Sequence, residues 1–286
     1  MRILLLHHVD NPNLYAGSVW IIGPAVGGWL ATNYGYTNSF VIAGVGAALC
    51  SLGYTQLPET LVSKLEKVEK EKEKEKEASR TWRESFDAWL VEMEPIYKDK
   101  NQQSLIALAL IPSLRWSCFT SVVALHATHT IGAGPQEIGF MFSTLALSQG
   151  LGMPLGAWMA DSKSFGSGDK KMLVLPPGFV SAASFGCISM ATSLEHFLAA
   201  MAFQGLAAAF TQPAVGAFTA EVTPAEKRGQ AMSLQRQASS MVGLLGPVSF
   251  GMIADTVGCP AAIMLSSGLM AGCNAVYMMR ARAVTK

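Results

Sequence analysis

Charge is scarce in this chain. Only 14% of its 286 residues are Asp, Glu, Lys or Arg, and 21 of those 41 lie between Thr60 and Gln103, so the other 242 positions are nearly bare of charge. That distribution argues against a soluble enzyme, whose surface carries charge all round, and no nucleic-acid partner is expected. The five cysteines (Cys50, Cys118, Cys187, Cys259 and Cys273) are scattered without CxxC spacing. They read as small apolar residues in or beside apolar stretches rather than as metal ligands or disulfide partners. No Ser-His-Asp, HExxH or paired-carboxylate arrangement falls on one predicted side, so the chain is not expected to be an enzyme, and no metal or cofactor is expected. The Gly166 to Lys171 run has neither the glycine spacing of a phosphate loop nor a Ser or Thr after its lysines, and it reads as a turn. Between Met1 and Asp10 the apolar run is only four residues long, too short for a signal-peptide core.

Hydrophobic residues make up half of the chain. Eight apolar stretches stand out: Leu14 to Ala31, Thr37 to Leu57, Ser104 to Leu125, Ile138 to Ala160, Met172 to Leu194, Phe197 to Val222, Ala238 to Ala254, and Cys259 to Met279. Each is close to the ~20 residues a helix needs to cross a bilayer. Alternating sides puts both termini, the charged linker, the Asp161 to Lys171 loop and the Thr223 to Gln237 loop on one face, with 20 of the 21 Lys and Arg residues. The loops around Asn33, Gly132, Glu195 and Gly258 have none, so the linker face is expected to be cytoplasmic.

A repeat organises the spans. Gly23-Pro24-Ala25-Val26-Gly27-Gly28-Trp29-Leu30-Ala31-Thr32-Asn33-Tyr34-Gly35 returns 223 positions later as Gly246-Pro247-Val248-Ser249-Phe250-Gly251-Met252-Ile253-Ala254-Asp255-Thr256-Val257-Gly258, with five of thirteen positions identical. Both copies lie in one apolar stretch followed by another, which makes the repeat unit a pair of membrane helices. The first copy has too little chain before it to match the second, so the sequence is expected to be the C-terminal part of a longer protein. In the linker, Lys64 to Glu77 nearly alternates Glu and Lys and reads as a solvated spacer. Thr81 to Glu84 fits a capping box, and Trp82, Phe86, Trp89, Leu90 and Met93 share one helical face. That amphipathic helix either lies at the membrane surface or latches under the bundle.

From about Tyr15 to Arg280 the pattern resembles the major facilitator superfamily of secondary transporters. Gly23 to Gly28, preceded by Gly17, is similar to the glycine-proline motif in the fifth helix of the family's proton-coupled antiporters, although Val19 stands where that motif has an upstream glycine. The Leu57-Pro58-Glu59-Thr60-Leu61 exit resembles the end of the sixth helix. Gly156 to Asp161 with Lys170 and Lys171 is similar to the loop between the eighth and ninth helices, and Glu221 to Gly229 to the loop between the tenth and eleventh. This register implies an all-α membrane protein with a truncated major facilitator-type bundle, its eight spans equivalent to helices five to twelve. The implied domains are a partial N-terminal domain over 1–59, the cytoplasmic linker over 60–103, a six-helix C-terminal domain over 104–280 and a cytoplasmic tail over 281–286. An incomplete gene model explains the missing first four helices more simply than a natural half-transporter does.

Arg115 is the one cation within a span, where facing lipid would cost about 2.5–3.5 kcal/mol on insertion scales. It is expected to face the bundle interior, contacting a substrate or a relay carboxylate, or else pairing structurally. With Trp116, Gln149, Gln204 and Gln212 it forms the candidate substrate site, although each of those amides, like Asn274, would also be satisfied by hydrogen bonds between helices. His126 and His129, a helical turn apart, either exchange protons or bind metal at the far side, or are simply interfacial. Gly23, Gly27 and Gly28 are expected to let helices approach closely, while Pro24 bends its helix. The resemblance implies that Gly23, Pro24, Gly27 and Gly28 seal the cavity during switching. Asp161, Glu221 and Arg228 are candidates for charge pairs that hold one conformation closed. The expected function is secondary transport of a small-molecule solute across a lipid bilayer by alternating access. Proton-coupled export is what the partial motif implies. The alternative is a non-transporting receptor, scaffold or fragment derived from a transporter.

Overall fold

The structure, a computed structural model, describes residues 12–54, 98–161, 170–223 and 228–283. The alternating Glu-Lys run and the amphipathic Trp82 to Met93 segment lie outside the described residues. The helices are α1 (Pro12–Tyr54), α2 (Lys100–Cys118), a π-helical turn (Phe119–Val123), α3 (Ala124–Ile131), α4 (Pro135–Asp161), α5 (Lys170–Ile188), α6 (Leu194–Val222), α7 (Arg228–Thr256) and α8 (Cys259–Ala283). No strand occurs among the described residues. The π turn joins α2 and α3 into one span, and five helical stretches among the described residues are long and apolar enough to cross a membrane. The chain is a multi-pass membrane protein.

The repeat reappears as geometry. Its last glycine is Gly35 in one copy and Gly258 in the other, at φ 77° and φ 112°. Both values lie in the region that favours glycine, and each residue joins two helices. At Gly35 the chain folds back, because Val19, Gly23 and Gly27 before it and Ser39 and Ile42 after it line one cavity. The connection expected around Asn33 therefore shrinks to a single non-helical residue within α1. Polar side chains on both sides hold it: Thr32 Oγ1 donates to Gly28 O at 3.0 Å, Asn33 Nδ2 to Trp29 O at 2.8 Å, and Asn38 Nδ2 to Tyr34 O at 2.9 Å.

Three boundaries differ from expectation. The stretch expected to run to Leu194 ends at Ile188, and Ser193 then caps α6, its Oγ accepting from His196 N at 3.3 Å. The Thr223 to Gln237 loop is helical from Arg228 onward, because α7 begins with a polar turn that an apolar window does not detect. Helix α2 begins at Lys100, inside the range assigned to the linker, with Asp99 Oδ1 accepting from Asn101 N at 2.9 Å.

Helix α2 lies against α7 and α8, α8 against α5, α5 against α6, and α6 along α4, which carries α1 on its other side. Phe119, Val122, Phe185, Ile188, Phe197, Met201, Ile263 and Met270 are buried where these helices meet. Val19, Phe40, Leu52 and Leu244 are exposed. In a bilayer that costs nothing, since lipid tails are as apolar as they are.

The α1–α4 crossing depends on glycine. A Cβ at Gly28 would strike Pro135 O, and a Cβ at Gly139 would strike Pro24 O, so the two backbones meet with no side chain between them. Gly23 and Gly27 differ: a Cβ at either meets nothing within 4 Å among the described residues. Valine at position 28 or 139 should lower the unfolding midpoint of the detergent-solubilised protein, by about 1–3 kcal/mol of overpacking. Gly27→Ala should not lower it. Fluorescence-detected size exclusion after heating checks this, and equal midpoints for all three variants would contradict the crossing.

Candidate functional site

The site begins with a helical irregularity. After Arg115 and Trp116, α2 widens into the π turn, and its carbonyls find hydroxyls in the run Ser117-Cys118-Phe119-Thr120-Ser121. Ser121 Oγ donates to Ser117 O at 2.7 Å and Thr120 Oγ1 to Trp116 O at 3.0 Å, while Phe119 N–H is shared between Arg115 O and Trp116 O. Such turns gather at functional sites. This one sets Phe119 beside Trp116, with ring centroids 6.1 Å apart and planes at 21°.

A cavity of about 380 Å³ opens between α1, α2 and α4. Trp20 and Pro24 line it from α1, Arg115 and Trp116 from α2, and Phe142, Leu145, Ala146, Gln149, Gly150 and Met153 from α4. The α4 residues fall at helical spacing on one face. Trp20 meets Trp116 edge-on at 5.4 Å, and Phe119 meets Phe142 edge-on at 4.4 Å. The aromatic wall thus joins three elements through contacts of favourable geometry. Of the expected site residues, Arg115, Trp116 and Gln149 come together here, and Pro24, expected as a switching residue, lines the same space.

Gln204 reaches the site from behind. It is fully buried on α6 and does not line this cavity. In the amide orientation that satisfies every donor and acceptor, its oxygen accepts from Arg115 Nη1 at 3.2 Å and from Ser181 Oγ at 2.9 Å, and its nitrogen donates to Ser184 Oγ at 2.7 Å. Gln204 therefore positions the guanidinium rather than facing the open space. No carboxylate lines the cavity among the described residues. Gln212 lies on α6, and its side chain is outside the described residues.

The candidate switching residues separate into two places. Gly28 and Pro24 form the α1–α4 crossing, and Gly139 and Pro135 on α4 complete it. At the other place, Arg228 Nε donates to Thr223 O at 3.1 Å and Gln102 Nε2 donates to Thr223 Oγ1 at 2.8 Å, joining the starts of α7 and α2 to the end of α6. Arg280 Nη1 bonds Gln103 Oε1 nearby in sequence to Gln102. Asp161 is the last residue of α4 and Glu221 the last but one of α6, and their side chains lie outside the described residues.

The two histidines part company. His126 is buried, its ring 5.5 Å from that of Phe197 and its Nδ1 3.2 Å from Thr130 Oγ1, whereas His129 is exposed. Among the described residues no cluster of three His, Cys, Asp or Glu side chains could hold a metal.

Sequence reading missed Trp20, Phe142 and Gly139. Trp20 stands four residues before Pro24, and Phe142 seven before Gln149, so both spacings lay open in the chain. What they face depends on helix packing.

Comparison with known proteins bears on the same region. The sequence profile of the Major Facilitator Superfamily matches residues 105–286. The chain is 28% identical over 138 residues to an uncharacterized MFS-type transporter of Methanocaldococcus jannaschii, covering 48% of this chain and 34% of that protein. It is 26% identical over 144 residues to multidrug resistance protein 2 of Bacillus subtilis, covering 50% of this chain and 35% of that one. The matched region therefore spans about a third of the length of each of these curated relatives.

Replacing Gln204 by Leu leaves Ser181, Ser184 and the guanidinium short of a buried partner, at a cost of about 1–3 kcal/mol. The thermal midpoint of Gln204→Leu should fall below that of the native chain. Equal midpoints would contradict the positioning role.

Proposed function

The chain belongs to the Major Facilitator Superfamily, and we propose that it carries the solute-binding cavity of a secondary transporter that works by alternating access. The observation that carries this reading is the placement of Arg115. Its guanidinium borders an aromatic cavity of about 380 Å³ at the junction of α1 with α4, and Gln204 holds it from behind. A half-buried cation with no lining carboxylate among the described residues is matched by a solute bringing a hydrogen-bond acceptor, either an anion or a strongly polar group. Trp20, Trp116 and Phe142 offer faces to a flat apolar body, and Gln149 adds a polar handle. Gln212 belongs to the proposed site by its place on α6.

Switching is assigned to Gly23, Pro24, Gly27 and Gly28 on α1, and to Asp161, Glu221 and Arg228 at the far helix ends. The bare backbone contact of Gly28 with Pro135 supports the first group, and the Arg228–Thr223 bond supports the second. The open cavity at Gly23 and Gly27 gives α1 room to move. The finer reading is proton-coupled export of a drug-like compound, with the basic loops cytoplasmic. It is supported by the partial glycine-proline motif, by the distribution of Lys and Arg, and by the naming of the Bacillus relative for multidrug resistance.

Flux across membrane vesicles tests this, with fluorescein as an anionic probe and ethidium as a cationic one. Arg115→Ala should cut proton-dependent fluorescein flux about 10- to 100-fold, the worth of a charge-assisted hydrogen bond, while leaving expression normal. Unchanged flux would remove Arg115 from the site. Flux that ignores a collapsed proton gradient would remove the coupling.

A further inference from the structure

Helix α4 carries four glycines, and three of them answer to packing. A Cβ at Gly139 would strike Pro24 O, one at Gly156 would strike Ala209 O, and one at Gly152 would lie 2.7 Å from Ala209 Cβ. Gly150 does not fit that pattern. Among the described residues a Cβ there would meet only Ile21 Cδ1, at 3.4 Å, which is contact with the free end of a flexible side chain. Alanine would therefore fit, and it is the better helix former. A glycine in mid-helix that helix packing does not require points to something else that approaches its backbone.

Position 150 belongs to the wall of the aromatic cavity, the outer of two that Arg115 borders, the other being a small chamber between α2, α5, α6 and α8. Between Ala146 and Met153 the α4 wall gives way to bare backbone at Gly150, which is exposed. Ile21 flanks that gap from α1, next in the chain to Trp20, whose ring meets Trp116. A side chain longer than a methyl at position 150 would have Ile21 at contact distance on the α1 side, and it would take its room from the cavity. From Phe142 to Met153 the α4 wall runs about 16 Å, at ~1.5 Å per residue. That is longer than one aromatic ring with its head group.

We propose that Gly150 is a specificity-determining position, whose bare backbone gives the outer cavity the width for a solute with a fused-ring body. That body crosses α4 at Gly150, and the anionic or polar head reaches Arg115. The inference rests on the reading of this cavity as the solute site and goes beyond it by fixing how broad the body is.

Isothermal titration of the full chain in lipid nanodiscs, corrected for empty discs, tests this with benzoate and pyrenecarboxylate, which share a head group and differ in the breadth of the ring system. The native chain should bind pyrenecarboxylate more tightly, because it buries more apolar surface. Gly150→Leu should weaken pyrenecarboxylate about 10-fold or more, as overfilling a fitted space does, and leave benzoate within about twofold. Gly150→Val, a smaller intrusion on the same wall, should act in the same sense. Adding Ile21→Ala to Gly150→Leu gives the new side chain room on the α1 side and should restore pyrenecarboxylate. Equal loss of both ligands, or pyrenecarboxylate binding that survives in both variants, would overturn the proposal. Loss of folding in both variants would make Gly150 a packing glycine and overturn it too. A native chain that takes benzoate and not pyrenecarboxylate would overturn it while leaving the solute reading in place, whereas a native chain that binds neither would count against both.

Discussion

One half-buried cation organises this molecule. Arg115 is the one cation in the apolar stretches of the chain, and it must be held by hydrogen bonds or move its helix toward water. Gln204, Ser181 and Ser184 form a polar relay that ties α2 to α5 and α6 through that one guanidinium. Because the relay approaches from behind, Arg115 also borders an aromatic cavity in front and a small chamber deeper in the bundle. Packing of the surrounding helices is apolar and close, so the polar relay is what sets the side chain's direction. The π turn that follows brings Phe119 beside Trp116.

A second constraint acts at the edge of the bundle. Helix α1 packs chiefly on α4, by a crossing in which Gly28 and Gly139 each leave space for a backbone carbonyl of the partner, and its Trp20 also meets Trp116 on α2. A contact made of backbone places no interlocking side chains between the two helices. The outer cavity lies along this crossing, with Trp20 and Pro24 on one side and the α4 face on the other. Motion of α1 would therefore change the cavity directly.

Much of this was legible in the chain. The apolar stretches lie where the helices lie, and the glycine that closes each copy of the repeat adopts a positive φ in both. The one cation of the apolar stretches, Arg115, faces other helices and the cavity between them. Other features were not legible, for physical reasons. The first turns of α7 are polar, from Arg228 to Gln237, and hydropathy cannot separate a polar helix end from a loop. Gln204 and Gln149 look alike as amides in spans, yet one is sealed against serines and the other lines open space, a difference made only by packing. The run Ser117 to Ser121 carried a hint of the π turn, because clustered hydroxyls can serve carbonyls freed from the helical ladder. Asn274 gave no sign that its oxygen would be left unpaired.

The central claim is that Arg115 presents its charge to a solute in the aromatic cavity. The most direct test is equilibrium binding of two aromatic quenchers of like shape, the anion 2,4-dinitrophenolate and the neutral 2,4-dinitroaniline, read from tryptophan emission of the full chain and its Arg115→Gln variant. The account predicts that the anion quenches at lower concentration than the neutral compound, and that the variant loses this preference while still binding the neutral one. Equal quenching by both compounds in the native chain, or a preference for the anion that survives in Arg115→Gln, would contradict it.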